Sequence, residues 1–129
     1  MMPLTDRETS LLNPETGLAE GLPISRVDRL ATSDAVNYQE VVEWTVAVGN
    51  EGDLHEVSLF SNDFSKTQFR LTIAGVQQWA DRVVGTSLSI PYRANRLPAG
   101  AQVLLEARST DGTLVTVDGS ISGAERPTE

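Results

Sequence analysis

From about residue 39 the chain consists of short runs in which apolar and polar side chains alternate, the period of a half-buried strand. In QEVVEWTVAVGN (39–50), Val42, Trp44, Val46 and Val48 share one face against Val41, Glu43, Thr45 and Ala47, which predicts a core strand. NEGD (50–53) supplies a turn, HEVSLFS (55–61) a second strand with Val57 and Leu59 on one face, and QFRLTIAG (68–75) a third with Phe69, Leu71 and Ile73 inward. VQQWADRVVG (76–85) reads either as a loop with a single helical turn or as a short strand carrying Trp79. TSLSIPY (86–92) alternates through Leu88, Ile90 and Tyr92, and Pro91 predicts that this strand ends there or lies at a sheet edge. RANRLPAG (93–100) has the turn chemistry of a connection. AQVLLEARS and TLVTVDGSIS then predict a hairpin closed by a type I′ turn at Asp111-Gly112, with a bend or bulge at Asp118-Gly119. Strands at this spacing predict an all-β fold, an antiparallel β-sandwich or jelly roll of about seven to eight strands over residues 38–129.

The first 37 residues differ in texture, with Pro3, Pro14, Pro23, Gly17 and Gly21 and no sustained period of either 2 or 3.6. They predict an extended N-terminal arm, with a short helix around Ser25–Leu30 as a local alternative. Leu11, Leu12, Leu18, Leu22, Ile24, Val27 and Leu30 are too many apolar groups for a purely solvating tail, so the arm is expected to bind a partner surface through them. Its opening residues lack the basic start and apolar segment of a secretory signal.

Charge narrows the partners. Eighteen acidic residues face ten basic ones, a net charge of −8, and Lys66 is the sole lysine. Such a surface argues against nucleic acid and against an anionic membrane as partners. Surplus carboxylates with almost no lysine suit a halophilic protein, and suit a GC-rich genome equally. The absence of cysteine removes disulfides, thiolate metal sites and cysteine nucleophiles.

Candidate chemistry is sparse. Asp111 and Asp118, seven apart, are separated by residues that make a poor calcium cage, and on an alternating strand they would face opposite ways. Turn chemistry is the preferred reading, with a surface calcium site shared with Asp53 or Asp63 as the alternative. His55 is the only histidine and lacks partners for a zinc site. GTSLS (85–89) misses the second glycine of a nucleophile elbow. Glu40 and Glu43 point to opposite faces of a strand, and Glu51 and Asp53 fall in an expected turn, so neither is a convincing acid pair. No catalytic, metal or cofactor residue is therefore assigned. Trp79, Tyr92 and Arg93 form a candidate ligand platform, since exposed aromatics on a sandwich can stack on sugar rings.

The block LTIAGVQQWADRVVGTSLSIPYRANRLPAGAQVLLEARSTDGTLVTVDGSISG (71–123) resembles the small β-sandwich virion proteins of tailed and related prokaryotic viruses, which decorate capsids or build spikes. The LPAG turn leading into a core strand, the Asp-Gly pair and the final DGSISG carry the resemblance. It implies a non-enzymatic virion structural protein, a capsid decoration or spike subunit. Its partners would be the major capsid protein or other virion subunits, and it would form a homo-oligomer, a trimer being favoured. The alternative is a carbohydrate-binding or adhesion module.

Overall fold

The computed structural model describes residues 21–128, which form eight strands and one turn of 3-10 helix (Phe64–Lys66). The strands are β1 (Leu22–Thr32), β2 (Gln39–Thr45), β3 (Asn50–Ser61), β4 (Thr67–Ile73), β5 (Val76–Arg82), β6 (Leu88–Leu97), β7 (Gln102–Ser109) and β8 (Val115–Pro127). They pair antiparallel in two four-stranded sheets, β1-β8-β3-β6 and β2-β7-β4-β5, which pack together as a β-sandwich. Every connection except β4–β5 crosses from one sheet to the other.

Binary pattern explains the packing. Along β4 the residues Thr67, Phe69, Leu71 and Ile73 are buried in strict alternation. Along β8 the inward set is Val115, Val117, Gly119, Ile121, Gly123 and Glu125. These sets meet Val41, Val42, Trp44, Leu54, Val57, Val103 and Leu105 in one core. Two glycines of β8 are required by that packing. A Cβ on Gly119 would lie within 2.9 Å of side-chain atoms of Val41, Val42 and Leu105, and one on Gly123 would lie 2.3 Å from the Asp53 carbonyl oxygen and 2.9 Å from the Trp44 indole. Asp118-Gly119 is thus regular strand, with no register shift beside it, and the glycine makes room for the opposite sheet.

Several expectations are corrected. The hairpin expected at Asp111-Gly112 does not form, because β7 and β8 belong to different sheets. Gly112 has φ 91° but Asp111 is not left-handed, so the pair of positive φ angles of a type I′ turn is missing. Instead Ser109 Oγ accepts from the Gly112 N–H (3.0 Å) and Asp111 Oδ1 accepts from the Thr113 N–H (3.1 Å), which turns the chain into an arch between sheets. The tight two-residue hairpin is at Ala74-Gly75 (φ 52° and 80°), joining β4 to β5. That outcome also makes 76–82 a strand carrying Trp79.

At the start of the domain, the turn expected at 50–53 lies earlier: the Asn50 N–H donates to the Ala47 carbonyl, Gly49 has φ 87°, and β3 begins at Asn50. Val48, expected on the core face, therefore leaves the strand and is 95% exposed. A bulge between Glu40 and Val42 buries Val41 together with Val42. β6 extends through Arg93 to Leu97, so only residues 98–101 act as the connection.

The arm is corrected over its second half. Residues 22–32 are neither arm nor helix but strand β1, paired with β8 through an unbroken register from Leu22↔Glu125 to Thr32↔Val115. Ile24 and Leu30 pack against the core, while Leu22 and Val27 stay exposed. A stretch with irregular apolar spacing forms a strand because an edge position asks for little burial, and β8 supplies its hydrogen-bond partners. Leu11, Leu12 and Leu18 lie outside the described residues.

Candidate functional site

A concavity lies on the outer face of β1-β8-β3-β6. Strand register builds it from separated segments: Val27 of β1 faces Ser120 of β8, Ser120 faces Ser58 of β3, and Ser58 faces Ser89 of β6, giving one row across all four strands. The next row carries Arg29, Asp118 and Phe60. Short serine side chains between Val27, Phe60 and Leu88 leave a shallow groove of about 280 Å³. Val27 is 74% exposed and Phe60 47%, and Phe60 is held edge-on against Phe64 at 5.6 Å between ring centroids. Ser58 and Ser89 share a 2.9 Å hydrogen bond along the floor. At the rim Arg29 Nε donates to Asp118 Oδ1 at 2.6 Å, and this partner holds the Asp118 carboxyl below its usual range. The groove can cover an apolar group and offer hydroxyls beside it; it presents no nucleophile with an adjacent base.

The opposite face, on β2-β7-β4-β5, is a polar network. The guanidiniums of Arg70 and Arg108 lie 4.4 and 4.6 Å from the Tyr38 ring centroid. The Tyr38 hydroxyl donates to Asp81 Oδ1 at 2.6 Å and accepts from the Asp81 N–H at 2.7 Å. Burial, followed by the bond to Asp81, pushes the phenol pKa up to about 12. Arg108 also donates to Asp81, to Gln68 and to the Val36 carbonyl, while Arg70 donates to Glu106 at 2.7 Å. A phenol held protonated by burial and by its bond to Asp81 is not poised as a base at neutral pH. These contacts fasten the β1–β2 connection onto the sheet.

The residues singled out in the sequence are dispersed. Trp79 on β5 and Tyr92 on β6 are half-buried and pack against the core from the edge strands of the two sheets, with Arg82 over the Trp79 ring at 5.9 Å. Burial raises the Tyr92 phenol pKa. Arg93 is exposed on β6. Asp111 is engaged by Lys66 Nζ at 2.5 Å, and that ion pair with the Thr113 bonds holds its carboxyl well below the usual range. Asp118 is taken by Arg29, so the two carboxylates serve separate ion pairs rather than a common site. His55 is exposed at the bulge between Leu54 and Glu56. Glu51 and Asp53 both bind Arg126, at 3.0 and 2.6 Å. Among the described residues no cluster of three or more His, Asp or Glu side chains is arranged to hold a metal.

The groove was not singled out from the sequence. Its signal was present in the outward hydroxyls of Ser58, Ser89 and Ser120, but their alignment depends on register among strands far apart in the chain. No protein-family model matches the chain, and no curated protein matches it significantly.

Proposed function

We propose that this chain is a non-enzymatic virion structural protein, a capsid decoration or spike subunit, and that its fold is a jelly roll. The observation that carries this reading is the strand order. Eight strands ordered β1-β8-β3-β6 against β2-β7-β4-β5, with all but one connection crossing between sheets, make two interlocked Greek keys. Double-sheet jelly rolls of this kind recur in viral capsid and lectin domains. A fold hosts many functions, and function resides in the surfaces it carries. The surfaces agree: charged groups are paired along both outer faces rather than gathered in a cleft, as suits a part whose work is contact and stability.

With residues 22–32 inside the sheet, attachment falls to the arm preceding Gly21, through Leu11, Leu12 and Leu18, onto the major capsid protein or another virion subunit. Burial of those leucines on docking would reinforce the particle. The protein itself would reside in the virion, as a homo-oligomer. Co-sedimentation with capsids assembled from the major capsid protein of the same genome tests this. Binding that is lost when residues 1–20 are removed, from a domain that stays folded, supports the reading; equal binding without them contradicts it.

A carbohydrate-binding or adhesion role is the second reading, and the groove favours it, because Phe60 offers a ring face beside the hydroxyls of Ser58, Ser89 and Ser120. The half-buried Trp79 and Tyr92 suit a platform less well. Glycan binding abolished by Phe60→Ala would favour this role over the structural one.

A further inference from the structure

We infer that the free edge of β1 is a self-association surface, on which a second copy of this chain pairs strand to strand and joins two four-stranded sheets into one of eight. Among the described residues the sandwich has four edge strands, β1, β6, β2 and β5, each with one side not paired to another strand. Exposed edges invite pairing with another chain unless they are blunted. Three of the four are blunted. β6 carries Pro91, which has no N–H, and its register with β3 shifts. β5 is short, contains the left-handed Asp81 (φ 55°), and shifts register twice against β4. β2 is bulged after Glu40. By contrast β1 keeps an unbroken register with β8 over all 11 residues, a straight edge of about 37 Å.

The side chains of β1 specify the partner. Its central sequence, Ile24-Ser25-Arg26-Val27-Asp28-Arg29-Leu30, is complementary to itself when read backwards about Val27. Antiparallel pairing centred there sets Arg26 opposite Asp28 of the second copy, Asp28 opposite Arg26, and Ile24 opposite Leu30. Opposite charges and apolar pairs placed directly across a ladder favour that register. Val27, 74% exposed, would meet its own counterpart on the axis. Arg26 and Asp28 are both exposed, and neither forms an ion pair within 4 Å among the described residues. Pro23 would face Ala31 near each end, so its missing N–H would interrupt only the margins of the ladder. Antiparallel pairing of identical edges is a two-fold operation, so this contact makes dimers rather than the trimer expected from the sequence.

The inference deepens the self-association part of the proposed function and does not need the particle-binding part. The mass of the full chain by light scattering and sedimentation tests it. The wild-type protein should reach twice 13.9 kDa as its concentration rises. Asp28→Arg, which disturbs only the hydrogen bond from the Arg29 N–H, puts Arg opposite Arg twice. It should weaken dimerisation about tenfold or more, with thermal melting unchanged at dilutions where both proteins are monomeric. Arg26→Asp combined with Asp28→Arg restores both opposite-charge pairs and should restore the dimer. A wild-type chain that stays monomeric at high micromolar concentration would overturn the inference. So would a dimer indifferent to Asp28→Arg, or one that the double substitution fails to restore. Failure to bind capsids bears on the proposed function alone.

Discussion

The indole N–H of Trp44 donates a 2.6 Å hydrogen bond to Glu125 Oε2, from β2 in one sheet to β8 in the other through the interior of the sandwich. Both residues are buried. The other carboxylate oxygen accepts from the Ala47 N–H (3.2 Å) and from Asn50 Nδ2 (2.9 Å), so one acid holds the inter-sheet tryptophan and the turn that follows β2. Burial pushes the Glu125 pKa up, but these three bonds outweigh it and the net direction is down from 4.5.

Glu125 should therefore matter to stability and to its acid limit. Glu125→Ala leaves the buried indole N–H of Trp44 and the half-buried Asn50 amide without their acceptor and should cost about 3 kcal/mol in urea unfolding at neutral pH. Because the folded-state pKa lies below the unfolded one, the stabilisation is complete above the unfolded value and is lost as pH falls through the folded value. Glu125→Gln should flatten that acid limb. An unchanged pH profile in the glutamine variant would show that other carboxylates carry it.

The glycines of β8 set a graded series. Gly123→Ala drives a methyl into the Asp53 carbonyl, which cannot turn aside, and should cost about 3 kcal/mol or more. Gly119→Ala meets only side chains and should cost about 1–2 kcal/mol. Gly85→Ala enters open space without a positive φ and should be silent. Chemical denaturation of the three variants gives the order, and a tolerated Gly123→Ala would contradict the close approach of β8 to β3 and Trp44.

Truncation tests where the folded domain begins. Removing residues 1–20 should leave the melting transition in place. Removing 1–37 deletes β1, uncovers the edge of β8 and strips Ile24 and Leu30 from the core, so the product should melt lower or fail to stay soluble. Equal melting of both truncations would remove β1 from the fold.

Calcium should have no effect. Asp111 and Asp118 are each occupied by a cation of the chain itself, Lys66 and Arg29. Titrating calcium should leave the melting temperature where it is, because a ligand stabilises only if it binds the folded state. A rise that grows with calcium concentration would restore the metal reading of this region.

What the sequence disclosed follows physical lines. Alternation in 67–73 placed Phe69, Leu71 and Ile73 in the core, and the aromatic Trp44 among valines was core as expected, because period 2 is a local property of a strand. The sheet assignment of β7 and β8 was not legible. Asp-Gly suits both a hairpin and an arch, and which one forms depends on whether Gly119 and Gly123 must receive side chains from the facing sheet. β1 was hidden for the same reason: its weak pattern becomes a strand only beside β8. As for the site, Ser58, Ser89 and Ser120 look like ordinary outward positions until three pairings set them in one row.

Binding of the full-length chain to capsids built from the major capsid protein of its own genome is the measurement that bears most directly on function. Saturable co-sedimentation, absent from the chain lacking residues 1–20, is the expected result for a virion structural protein. No co-sedimentation at any concentration, with the protein folded, would contradict it.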